Sequence, residues 1–143
     1  QNQKKDREKV DTIEQYNKPL SEIYRDVSKI YLNDGKAYNI AKAMCKVPSH
    51  QMRKILNEVK DAVKLSEEGK FEEARNKLYF TVPLTAYNAG RNPGLKELYK
   101  FVVQHINKQT LKSEKDIEVL DQLFTSIIAY HKYFKELKKR QEE

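Results

Sequence analysis

The spacing of apolar residues constrains this chain more than any other feature. Met52, Ile55, Leu56, Val59, Ala62 and Val63 recur at three- and four-residue intervals, the period of one face of an α-helix. Leu20, Ile23, Tyr24, Val27, Ile30 and Tyr31 repeat it, as do Leu95, Leu98, Tyr99, Val102 and Ile106. The longest set is Ile117, Leu120, Leu123, Phe124, Ile127, Ile128, His131 and Phe134. No stretch alternates with the two-residue period of a half-buried strand. The chain is therefore expected to be all-α, a compact bundle of five or six helices forming a single domain over 1–143.

Punctuation marks the expected boundaries. One helix spans Leu20 to Leu32, with Pro19 near its start and Asn33-Asp34-Gly35 as its stop. A short apolar helix covers Tyr38 to Met44. Ser49 is expected to cap a helix that runs to about Ser66. Glu67-Glu68-Gly69-Lys70 reads as a loop, and a helix begins again near Phe71. Pro83 predicts a kink or restart, and Asn92-Pro93-Gly94 a turn. A last helix is expected from Glu114 to Leu137, with Ser113 as its cap. Residues 1–9 hold no apolar residue and are expected to be disordered or a fraying helix start.

No catalytic constellation stands out. His50, His105 and His131 lie far apart, outside any His-Glu-x-x-His pattern. His131 falls on the apolar face of the last helix and reads as a satisfied core or interface residue. The single cysteine, Cys45, excludes an internal disulfide and reads as a small buried hydrophobe. Phosphate loops, nucleophile elbows and dinucleotide fingerprints do not occur. The expectation is a non-enzymatic protein with no catalytic residue, metal or cofactor. No apolar run approaches the ~18 residues of a membrane span, no secretory leader is visible, and a cytoplasmic setting is expected.

The chain carries 28 Lys and Arg against 21 Asp and Glu, a net charge of +7. That excess suits a polyanionic partner, although solubility alone favours a charge away from zero. Its placement says more. At 100° per residue, Arg53, Lys60 and Lys64 fall about 80–120° from Met52, beside the apolar face. Lys54 is less decided, because Glu58 lies four residues on and could pair with it. On the last helix Lys132, Lys135 and Lys139 fall about 40–100° from His131, where the helix dipole alone also favours cations. Arg91 lies at a turn beside Gly90, where a guanidinium fork suits phosphate oxygens or exposed helix-end carbonyls.

Three segments carry a resemblance. Pro48-Ser49-His50-Gln51-Met52-Arg53-Lys54-Ile55 is similar to a helix start in the small-subunit family of the type III-A CRISPR (Csm) effector. Pro83-Leu84-Thr85-Ala86-Tyr87-Asn88-Ala89-Gly90-Arg91 resembles that family's Pro-x-Leu-Ala-Tyr-x-Ala-Gly-Arg segment and is the most specific of the three. Leu123 to Phe134, with Ala129-Tyr130-His131-Lys132, is similar to its closing helix. Order and spacing also match, over about residues 40–137. His50 and Thr85 depart from the pattern.

The resemblance implies a helical scaffold subunit present in several copies per effector. The copies stack as a filament beside the backbone subunits and help hold guide CRISPR RNA and target RNA. Target cleavage belongs to the backbone subunits. DNA cleavage and cyclic oligoadenylate synthesis belong to the large subunit. Arg53, Lys54 and Arg91 match basic family positions near RNA. Tyr87, Ala89 and Gly90 match as well and read as packing and turn geometry, and Tyr130 as core or interface. Phe101, Val103 and Tyr133 lie beyond a single helix stripe and are expected at an interface between copies. The expected RNA-binding set is Arg53, Lys54, Arg91, Lys60, Lys64, Lys132 and Lys135. The rival reading is a purely structural helical adaptor that bridges protein subunits without contacting RNA.

Overall fold

The computed structural model describes residues 13–142, and the segment 1–9 lies outside them. Among the described residues the regular structure is entirely helical. The order is α1 (Leu20–Ile23), α2 (Ser28–Tyr31), α3 (Lys36–Ala43), α4 (Ser49–Glu67), α5 (Phe71–Arg91), a 3₁₀ turn (Pro93–Leu95), α6 (Lys96–His105) and α7 (Glu114–Glu142). Five of these helices have eight residues or more, in keeping with the five or six expected.

The apolar faces read from the sequence converge on one core. Met52, Ile55 and Val59 of α4 meet Ala74 and Leu78 of α5, Leu98, Phe101 and Val102 of α6, and Leu120, Leu123, Phe124 and Ile127 of α7. The long helix α7 packs against α3 and α4, and α5 packs against α4 and α6. A three-residue turn at Glu68–Lys70 makes α4 and α5 antiparallel. Gly69 has φ +81°, which suits its missing Cβ.

Residues ahead of α1 cross the end of α6 as a strap. Tyr16 N donates to Gln104 O at 3.1 Å and Leu20 N to Thr110 O at 3.0 Å. Asn107 Nδ2 donates to Tyr16 O at 2.9 Å. Beneath the strap lies His105, fully buried. Its Nδ1–H faces the Phe101 carbonyl at 3.0 Å, so Nε2 is left to accept from the Tyr24 hydroxyl at 2.7 Å. Burial pushes the imidazole down to about 3, and the Phe101 carbonyl offsets only part of that. The ring is neutral throughout the physiological range.

Four local expectations are corrected. The stretch Leu20–Leu32 is two single turns, because Asp26 accepts from Ser28 N at 3.0 Å and Ser28 Oγ at 2.7 Å and starts the second afresh. Val27 and Tyr31 consequently leave the core and are exposed. Pro48, not Ser49, occupies the cap position of α4, with no side-chain cap bond. Helix α5 runs on through Pro83, whose ring is exposed. The hydroxyls of Thr81 and Thr85 donate back to Leu78 O (2.6 Å) and Thr81 O (2.7 Å) on either side of it. Finally, α7 extends to Glu142, beyond the expected end at Leu137.

Candidate nucleic-acid interface

Antiparallel packing decides where the charges gather. Along α4 and α5, Lys77 pairs with Glu58 at 3.3 Å, and Lys54 shares a cleft with Gln51, Leu84 and Asn88. The C-terminal end of α5, bearing Arg91, therefore lies at the N-terminal end of α4. Along α4 and α7, Lys60 pairs with Asp121 at 2.8 Å. One segment earlier, His131 Nε2 donates to Val47 O at 2.9 Å. These two helices are antiparallel as well, so Lys132 and Lys135 lie toward the same end as Arg53 and Lys54. Lys64, eleven residues beyond Arg53 on α4, stands about 16 Å away along the axis.

Not all these cations are available. Lys60 is held by Asp121 across the α4–α7 seam. Lys132 is held by Glu136 at 2.9 Å, which Lys139 also approaches at 3.8 Å. The two lysines, Lys132 first, hold the Glu136 carboxyl below its usual range. Among the described residues, no carboxylate pairs with Arg53, Lys54, Lys64, Arg91 or Lys135. The Lys54–Glu58 pair that the spacing allows does not form, because Glu58 turns to Lys77. Arg53, Lys54, Lys64 and Arg91 are exposed, and Lys135 is half-buried. Ser49, His50, Arg53, Lys54 and Asn57 border a shallow depression on the outer face of α4.

Arg91 is not in a turn. It ends α5, with its guanidinium carbon 5.5 Å from the centre of the Tyr87 ring one turn earlier. Tyr87 is no packing residue, being 63% exposed. Gly90 has neither a positive φ nor a close neighbour, since a Cβ there would meet nothing within 4 Å. Ala89 alone of that trio packs against the core. Tyr130 is half-buried and donates to Tyr31 O at 2.5 Å and Asn33 Oδ1 at 3.3 Å. Phe101 and Val103 are buried within the chain and cannot serve an interface, whereas Tyr133 is 55% exposed. The expectations missed Phe80, which is 64% exposed. It sits seven residues before Tyr87, and that spacing could have revealed it.

His131 is the satisfied core residue expected, with burial lowering its pKa against the Val47 carbonyl bond. Cys45 is half-buried and free. No group of three or more His, Cys, Asp or Glu among the described residues could hold a metal ion. No helix there is long and apolar enough to cross a membrane.

The family model described as Csm2 Type III-A matches residues 27–137. No curated protein and no solved structure matches the chain.

Proposed function

Because this chain belongs to the Csm2 Type III-A family, the small-subunit family of the type III-A Csm complex, we propose that it is a non-catalytic strand holder. In this reading several copies line the effector in the cytoplasm and grip the backbones of guide CRISPR RNA and target RNA. Arg53, Lys54 and Arg91 make the principal phosphate contacts. Lys64 and Lys135 extend the surface, and Lys60 and Lys132 contribute less because carboxylates already compensate them. Sequence reading belongs to base pairing, so the protein needs only to hold phosphates.

The observation that supports this most is the gathering of unpaired cations at one end of the bundle. Their neighbours Lys60, Lys77 and Lys132 all have intramolecular partners. What supports the reading is where Arg53, Lys54 and Arg91 gather, at positions that match basic residues of the family, since unpaired cations also occur elsewhere on the surface. The exposed side chains of Val27, Leu32 and Phe80 favour protein contacts as well, either with further copies or with the other Csm subunits. Those contacts would be all that the adaptor reading retains.

The test uses the assembled effector with every copy altered. Arg53→Ala, Lys54→Ala and Arg91→Ala together should weaken binding about equally for unrelated guide–target pairs. The salt slope should fall by roughly 0.7 for each single-strand phosphate that is no longer neutralised. Lys60→Ala should change the slope much less. A triple variant that assembles normally and keeps both affinity and slope would hand the case to the adaptor.

A further inference from the structure

The outward ridge of α5 carries Phe80, Pro83, Tyr87, Gly90 and Arg91, all exposed. Their spacing places them on one helical face. Tyr87 is distinguished within the molecule. Among the described residues, of the exposed aromatic rings Tyr31, Phe80, Tyr87 and Tyr133, that of Tyr87 alone has a cation over it. The Arg91 Nη1 to Tyr87 hydroxyl distance of 3.5 Å is at the limit of a hydrogen bond, so the contact is chiefly guanidinium against ring. Gly90, three residues on, adds no side chain beside the ring, and space there is open.

The geometry points to Tyr87, with the Arg91 guanidinium over its ring, as a platform on which an unpaired RNA base stacks. This rests on the RNA reading above and adds a base contact to its phosphate contacts. Aromatic and guanidinium planes accept any base, because every base has a π-face. Charge favours nucleic acid over an apolar protein partner. From Arg75 to Arg91 there is no acidic residue, and Asn88, next to Tyr87, shares its cleft with the unpaired Lys54. A strand whose phosphate meets Arg91 brings a base within reach of the ring that the guanidinium covers.

The test titrates the full chain, uniformly isotopically labelled, against single-stranded oligoadenylate and against an abasic oligomer of the same length. NMR detects even weak binding. The Tyr87 ring signals should shift with oligoadenylate and not with the abasic strand. Tyr87→Leu should weaken oligoadenylate binding roughly 5- to 150-fold, to the abasic level, with the salt slope intact, and Tyr87→Phe should retain it. Unmoved Tyr87 signals, or a Leu variant that binds as well as the native chain, overturn the platform. If the backbone amides of Arg53, Lys54 and Arg91 shift while Tyr87 does not, stacking fails and the phosphate reading stands. If neither shifts with either strand, both fall. In the assembled effector, Tyr87→Ala should leave the subunit in place. Ejection of the Ala variant, with Tyr87→Leu restoring it, would make the ridge a protein-docking surface and overturn the proposal.

Discussion

Replacing Asp116 by Ala removes the carboxylate that ties α1 to the start of α7. Asp116 is wholly buried. Its Oδ1 accepts from Ser21 N at 2.8 Å. Its Oδ2 accepts from Lys112 N at 2.8 Å, Ser113 N at 3.0 Å and Ser113 Oγ at 3.3 Å. Burial opposes the charge, but the hydrogen bonds from Ser21, Lys112 and Ser113 outweigh it and hold the carboxyl below its ordinary range. Each bond to a charged acceptor contributes ~1.5–3 kcal/mol, and an orphaned buried donor costs ~1–3 kcal/mol. Lys112 and Ser113 are exposed, so their N–H groups can turn to water. Only the half-buried Ser21 N–H bears most of its penalty. The expected loss is therefore about 2–4 kcal/mol, less than the sum of the bonds.

Urea unfolding followed by circular dichroism measures this as a fall in midpoint of roughly 1–3 M. Asp116→Asn, which keeps one acceptor oxygen, should fall between native and Ala. The sign with pH is fixed. A carboxyl whose folded pKa is depressed stabilises above its unfolded value, near 3.9, and loses that contribution as pH falls through the folded value. The gap between native and Ala should therefore narrow below about pH 4. A gap under ~0.5 kcal/mol at neutral pH, or one that widens on acidification, refutes the clasp.

Three further expectations follow from the backbone and the buried imidazole. Gly90→Ala should stabilise the chain by ~0.4–1 kcal/mol in thermal or urea unfolding, because Gly90 is helical with open space for a methyl group. Gly35→Ala should destabilise it, because a Cβ there would lie 2.7 Å from the carbonyl oxygens of both Leu32 and Lys29. His105 should show no titration by NMR between pH 5 and 8, its pKa being pushed down to about 3. Since the unfolded ring binds a proton near pH 6.5 and the folded one does not, stability should fall by up to about 1.4 kcal/mol per unit between pH 6.5 and 3.

The fold was legible where a long apolar repeat left one solution. Over α4 and α7 the sets from Met52 and from Ile117 name core residues almost without exception, because burial imposes the helical period directly. Over Leu20–Leu32 the same period misleads. Two single turns separated by Tyr24–Val27 present Leu20, Tyr24 and Ile30 to the core as well as one helix would. The deciding signal was Asp26 two residues before Ser28, a local turn that the periodicity cannot register. At Pro83 the missing N–H argued for a break, yet the helix continues with the proline ring toward solvent.

The candidate interface was legible only in part, for a different reason. Sequence fixes the angle of a charge on its own helix, but whether it is free depends on the helix alongside. Lys54 had Glu58 at the favourable spacing, and Glu58 instead meets Lys77 of α5. Lys60 had no obvious partner within α4, and α7 supplies Asp121. The segment 83–91 shows the same logic in reverse. The sequence puts Arg91 at a turn beside Gly90, and Tyr87 reads with Ala89 and Gly90 as packing and turn geometry. Once α5 is continuous to Arg91, the four-residue spacing of Tyr87 and Arg91 stacks them on one exposed face. The helix that Pro83 fails to break thus sets guanidinium and ring together on the exposed ridge of α5, and makes a base contact testable apart from the phosphate contacts.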